Sequence, residues 1–169
     1  MQSRFLFTGA VAAMALIAAA CGSTQSAATT SPAAASPSPA AQPSPASTGA
    51  TIAVASNAKY GSILVDGKGM TVYLFVADKT TASTCYTTCA QFWPPVLTTG
   101  APQAGAGATS SLLGTTTRTD GKVEVTYAGH PLYYFANDKA SGDTTGQAVD
   151  GFGGLWWVVS ASGAAITTK

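Results

Sequence analysis

The 169 residues carry eight Lys and Arg against seven Asp and Glu, with one His and three Cys. That near-neutral balance, with no basic stripe or cluster, excludes a protein that binds by displacing counterions from a phosphate backbone, so nucleic acid is not an expected partner. A single His and the lack of any nucleophile-elbow pattern argue against a hydrolytic triad, and no enzyme is expected.

In chain order, residues 1–20 read as an export signal. One basic residue, Arg4, precedes an apolar run from Phe5 to Ala20 broken only by Thr8 and Gly9. The run is shorter than the roughly 20 apolar residues of a membrane span and ends in small residues, as processed signals do. Ala18-Ala19-Ala20 lead directly into Cys21, the pattern of a bacterial lipoprotein signal in which the Cys thiol is acylated and becomes the mature N-terminus. Ordinary cleavage beside an incidental Cys is the alternative, since Ala18 stands where Leu is usual. Two acyl chains, at ~0.8 kcal/mol per buried methylene, hold a protein on a membrane without spanning it. The expected location is therefore the extracytoplasmic face of the cell membrane, with the lipid anchor as the membrane contact.

Residues 21–50 form the expected lipidated tether. Ala, Ser, Thr, Gln and Pro dominate, with Pro32, Pro37, Pro39, Pro43 and Pro45, and from Gly22 onward there is no charge and no aromatic residue. Such a composition buries too little apolar surface to offset ordering entropy, so disorder with a polyproline bias is expected. At ~3.1 Å per residue its reach is limited to about 85 Å.

Residues 51–169 are the expected folded domain, and they contain a repeat. Gly69-Met70-Thr71-Val72-Tyr73-Leu74-Phe75-Val76-Ala77-Asp78-Lys79 recurs sixty positions later as Gly129-His130-Pro131-Leu132-Tyr133-Tyr134-Phe135-Ala136-Asn137-Asp138-Lys139. Both copies hold Tyr-x-Phe-x-x-Asp. The same register places Ile63 and Val65 over Val123 and Val125, and Trp93 near Trp156 and Trp157. Repeat 1 is expected over about 60–100 and repeat 2 over about 118–160.

Each repeat reads as a hairpin. Ser62–Val65 and Thr71–Phe75 flank a turn rich in Gly and Asp, and Lys122–Tyr127 and Pro131–Phe135 flank Ala128-Gly129-His130. Alternation within Lys122–Tyr127 predicts Val123, Val125 and Tyr127 on a buried face, with Lys122, Glu124 and Thr126 outside. Between the repeats, Ser83 to Trp93 reads as one to two helical turns ended by Pro94-Pro95. Ala101 to Ser111, rich in Gly and Ala, reads as a mobile loop. Leu155–Val159 reads as a strong strand and Ala164–Ile166 as a weak one. The fold expected is all-β: two homologous hairpin-based repeats in one small domain, with a short helical turn around the Cys pair.

Several residues are candidates for chemistry. With Cys21 set aside, Cys85 and Cys89 leave an even count in an oxidising compartment, where a disulfide is the default. The alternative is a pair of thiolates binding a soft metal such as Cu(I), with Met70 and His130 as further ligands. Asp78 and Asp138 follow their strands directly and are expected to accept backbone hydrogen bonds in the turn. Tyr73, Phe75, Tyr133 and Phe135 alternate on one strand face and are expected in the core. Tyr134 with Trp93, Trp156 or Trp157 is the alternative, an exposed aromatic patch.

Together these motifs carry a resemblance. Tyr73 to Asp78, Ser83-Thr84-Cys85 through Cys89-Ala90, Trp93-Pro94-Pro95, Arg118-Thr119-Asp120-Gly121, Tyr127 to Phe135 and Gly142 to Gln147 are similar to the secreted-repeat bacterial lipoproteins defined by a Tyr-x-aromatic-x-x-Asp motif. Val72 stands where Leu is common and Glu124 where Gln is expected, departures expected to bear on strand surfaces. The resemblance implies an envelope-exposed repeat domain and supplies no substrate, catalytic residue or cofactor. The expected function is a non-enzymatic binding or scaffold module at the cell envelope, with an envelope protein or small ligand as partner. The alternative is copper or redox handling through Cys85, Cys89, Met70 and His130.

Overall fold

A computed structural model describes residues 49–169; the expected export signal, Cys21 and the expected tether up to residue 48 lie outside the described residues. The first half opens with β1 (Thr51–Asn57) and β2 (Gly61–Asp66), an antiparallel hairpin running from Ile52 opposite Asp66 to Asn57 opposite Gly61. Asn57 turns this hairpin, its Oδ1 accepting from the backbone N–H groups of Lys59 and Tyr60. Asp66 makes the next reversal in the same way, Oδ1 accepting from Lys68 and Met70 N–H, and the chain enters β3 (Tyr73–Phe75). A single helical turn, α1 (Thr88–Phe92), follows. Then come β4 (Gln103–Ala104) and a 3-10 turn at Ser110–Leu112.

The second half repeats the scheme with β5 (Leu113–Thr117), β6 (Val123–Tyr127) and β7 (His130–Pro131), and closes with β8 (Asp150–Gly151) and β9 (Gly154–Val158). Three small sheets result, in the orders β2-β1-β4, β3-β9-β8 and β5-β6-β7. The domain is all-β and built from two related halves.

The long hairpin of each half, β1–β2 and β5–β6, lies one strand upstream of the hairpin expected from sequence. The expected second arm is short: Thr71 meets Val65 only as an isolated bridge, as Pro131 meets Thr126 in β7. Residues 101–111, expected as a mobile loop, instead lay β4 parallel to β1, with Gln103 N–H donating to Ala50 O and Gly105 N–H to Ile52 O.

The register between halves also differs from the sequence alignment. Ile52 opposite Asp66 recurs as Leu113 opposite Tyr127, and Leu64 N–H bonds Val159 O just as Val125 N–H bonds Val96 O. Leu64 therefore corresponds to Val125 and Ile63 to Glu124, one position beyond the expected match. The cause is a turn one residue shorter in the second half, where Ala128 and Gly129 both take positive φ (50° and 83°), as a tight two-residue hairpin turn requires.

Half-burial of β6 is overturned too. Val123 is exposed, whereas Glu124 and Thr126 are buried beside Val125 and Tyr127. Strands β2, β3, β6 and β9 are covered on both faces over consecutive residues. Ile52, Leu64, Leu74, Val125, Leu132 and Trp157 belong to one core, and Ile63, Tyr73, Tyr133, Trp93, Trp156 and the two Cys to the other. Pro94 and Pro95 end α1, and the stretch from Trp93 to Pro95 then runs extended beside Tyr133. Pro95 bridges Tyr133, and Tyr134 N–H donates to Pro94 O. In the second half Trp156 to Val158 holds the corresponding place beside Tyr73. Proline is tolerated there because it needs no donor on that side.

Candidate functional site

Tyr73 and Tyr133 meet where the halves join, each N–H donating to the other's carbonyl at 2.8 and 3.0 Å. Their side chains then cross. Tyr73 donates its hydroxyl to Asp138 Oδ2 (2.6 Å), and Tyr133 donates to Asp78 Oδ2 (2.5 Å). Each Asp spends its other oxygen on its own turn. Asp78 Oδ1 accepts from Thr84 N–H and Oγ1–H, and Asp138 Oδ1 accepts from Thr145 N–H and Oγ1–H. The following lysine closes the turn, Lys79 Nζ donating to Val76 O and Lys139 Nζ to Ala136 O. Every motif Asp thus binds the backbone of its own repeat and the tyrosine of the other. Burial, helped by the adjacent carboxylate, pushes both phenols far above their ordinary range.

The motif phenylalanines extend the crossing into a stack of four rings. Phe75 lies on Trp156 (centroids 4.0 Å), Trp156 on Trp93 (4.0 Å) and Trp93 on Phe135 (4.4 Å). Tyr73 and Tyr133 approach Trp93 and Trp156 edge-on. All three tryptophans are buried and Tyr134 donates its hydroxyl to Asp66 Oδ2, which overturns the alternative of an exposed aromatic patch built from them.

One side of this twofold arrangement carries a charge that the other lacks. Glu124, fully buried, occupies the place that Ile63 holds in the first half. Arg118, also buried, donates from one terminal nitrogen to Glu124 Oε2 (2.6 Å) and Ser83 Oγ (2.8 Å), and from the other to Cys85 O (2.7 Å). Its guanidinium lies over the Tyr86 ring at 4.4 Å, and Ser83 Oγ is 2.7 Å from the Tyr133 hydroxyl. The pair is incompletely satisfied. Glu124 Oε1 and Arg118 Nε have no hydrogen-bond partner among the described residues, Nε standing 3.6 Å from Asp120. Burial pushes the Glu124 carboxyl up to about 7 against the pull of Arg118, with Asp78 and Asp120 adding to the rise. Glu124 is therefore a core charge, not the surface departure expected from sequence. Arg118 lies outside the residues expected to carry chemistry; the sequence signal for it is its place across the hairpin from a lone Glu inside a strand.

Cys85 and Cys89 form a disulfide with Cα atoms 5.2 Å apart, Cys89 within α1 and Cys85 in the loop that Arg118 pins. Bonded to each other, the sulfurs offer no thiolate pair to a soft metal. Among the described residues no group of three or more His, Cys, Asp or Glu is arranged to hold a metal ion. Met70 and His130 occupy corresponding turns of different halves; Met70 N–H bonds Asp66, while His130 lines an open depression with Phe75, Val76, Asp78, Lys79 and Ala165 among others. Because the disulfide closes so short a loop, replacing both cysteines by serine is expected to lower unfolding free energy by about 2 kcal/mol, read as a shift in the urea midpoint.

Five large apolar side chains are exposed among the described residues: Val76, Phe92, Leu97, Val123 and Phe152. Leu97 and Val123 flank a second open depression with Ala50, Thr98, Thr99 and Lys122. Phe92 and Phe152, each about half exposed (49% and 48%), bring their rings to 5.9 Å, with Phe152 in the left-handed region at φ 59°. No helix among the described residues is long and apolar enough to cross a membrane.

A family profile described as a secreted repeat of unknown function matches residues 54–97 and 114–160, together more than half of the chain. No curated protein and no solved structure gives a significant match. Each matched segment contains one tyrosine, one phenylalanine and one aspartate of the crossing, together with one tryptophan of the central stack. The chain belongs to the family of secreted repeats of unknown function.

Proposed function

We propose that this chain is a lipid-anchored extracytoplasmic protein acting as a non-enzymatic binding or scaffold module at the cell envelope. One observation carries the non-enzymatic part: Tyr73, Tyr133, Asp78 and Asp138 spend their hydroxyl and carboxylate groups on one another and on turn backbone, where they hold two halves together. Groups so engaged and buried position a fold, which supports a structural role for them. Membership in a secreted family fits a place outside the cytoplasm. The apolar run ending at Cys21 supports attachment there through a diacylated thiol.

The test labels cells with a fatty-acid analogue and fractionates them. The wild-type chain is expected to take the label and Cys21→Ala to lose it; a label that persists in Cys21→Ala overturns the anchor. The unanchored Cys21→Ala chain is further expected to cosediment with purified envelope fragments, and its staying in the supernatant overturns the binding reading.

A further inference from the structure

The two halves differ in how their outer strands end. In the first half the free edge of β1 is covered by β4, which runs parallel to it. Gly105 N–H donates to Ile52 O, and Val54 N–H donates to Ala106 O. By the register established above, Leu113 corresponds to Ile52 and Thr115 to Val54, so β5 has the same edge. Nothing described covers it. Val125, opposite Thr115, sends its own N–H to Val96 and takes Leu132 N–H on its carbonyl, both away from β5. Thr115 therefore turns its N–H and C=O outward, and so does the alternate residue Thr117. Among the described residues these groups and Leu113 C=O take no partner, and Thr115 and Thr117 are exposed. The segment that would correspond to β4 folds elsewhere: after Ser160 the chain turns back along β9, with Ser160 N–H bonding Ala164 O and Ile166 N–H bonding Val158 O.

We propose that β5 is a docking edge that adds an extended segment of a partner protein as a parallel strand, small side chains alternating along it. The first half shows what fits. β4 and the residues after it can lie against β1 only because Gly105 and Gly107 have no side chain; a Cβ on either would sit 2.8 Å from Ala53 Cβ or 2.9 Å from Val54 Cβ. Gly114 and Thr115 hold the corresponding positions on β5. The incoming strand supplies N–H to Leu113 and Thr115 carbonyls and C=O to Thr115 and Thr117 amides, leaving side-chain size to set specificity. The inference rests on the binding reading above but is independent of the lipid anchor.

The probe is a synthetic peptide with the sequence of residues 101–108, Ala-Pro-Gln-Ala-Gly-Ala-Gly-Ala. Titrated into the full chain, it is expected to protect the Thr115 and Thr117 amides from hydrogen exchange. Thr115→Pro removes an outward N–H that no described strand uses, so the fold should persist, as the near-UV signature of the tryptophan stack will report. Peptide affinity should fall about fivefold, the loss of one strand hydrogen bond. If that variant fails to fold, valine in place of the second peptide glycine, the one that faces Thr115 as Gly107 faces Val54, supplies a loss of the same kind on wild-type protein. Equal binding by Thr115→Pro, or by the valine peptide, overturns the docking edge while cosedimentation with envelope still reads the binding module separately. Amide protection that rises with protein concentration without peptide also overturns it, in favour of a second copy as occupant.

Discussion

Arg118→Met is expected to lower the unfolding free energy by about 3–5 kcal/mol at pH 8, because it strands the Glu124 carboxylate in a site with no access to water. Glu124→Ile alone leaves the guanidinium equally stranded. The double variant Arg118→Met/Glu124→Ile should recover wild-type stability to within about 1 kcal/mol or exceed it, since buried ion pairs replaced whole are often neutral or stabilising. The other half already shows that isoleucine fits: Ile63 fills the corresponding place and is 1% exposed. Urea unfolding of the four proteins closes the cycle. A single variant as stable as wild type would show that the pair carries no desolvation penalty.

The pH dependence of the same site has a definite sign. Burial raises the Glu124 carboxyl from 4.5 to about 7, so the folded protein binds this proton more tightly than the unfolded chain. The stabilisation is complete below pH 4.5 and is lost as the pH rises through 7, a change on the order of 3 kcal/mol. In the double variant this slope should vanish. Arg118→Met should be milder at pH 4.5 than at pH 8, because a neutral Glu124 has less need of its partner.

Asp78→Ala and Asp138→Ala are the second pair of large effects, each expected to lower unfolding free energy by about 3–5 kcal/mol. Each removes the acceptor of three donors: a threonine N–H, its hydroxyl and the tyrosine of the opposite half. Stranding a buried donor costs ~1–3 kcal/mol, and the threonines, being partly buried, recover some of it from water. Adding Tyr73→Phe to Asp138→Ala should cost less than the sum of the two, with a coupling of about 1–2 kcal/mol. Tyr73→Phe with Asp78→Ala, which share no bond, should add. Equal coupling in both combinations would mean that the tyrosines do not choose the distant aspartate.

The motif residues were legible in the sequence because aromatic and acidic side chains repeat at fixed spacing, and the Cys pair because an even count in an exported chain defaults to a disulfide. What the motif does was not legible. Tyr73 and Asp138 come from different repeats, and spacing within a repeat carries no information about a partner in the other. The upstream register differs because the second turn is one residue shorter: matching by residue type lays Ile63 and Val65 on Val123 and Val125, whereas the fold lays Ile63 on Glu124 and Leu64 on Val125. β1 and β5 went unread: Thr51-Ile52-Ala53-Val54 and Leu113-Gly114-Thr115-Thr116-Thr117 are poor in large apolar residues, and their place in the fold comes from pairing. Glu124 was misplaced because a lone charge in an alternating strand reads as a solvent-facing one unless its partner is seen.

The crossed tyrosines have a consequence for any shorter ancestor or fragment. A peptide carrying one repeat has a tyrosine hydroxyl without its acceptor, an aspartate without one of its donors, and a tryptophan with one face bare. It can satisfy all of these at once only against a copy of itself, in an isologous homodimer whose dyad passes between the two Tyr residues. Gene duplication would then have joined two protomers already shaped for each other, freeing one interface from self-complementarity. Glu124 and Arg118 on one side, with Ile63 on the other, are a substitution that such freedom permits.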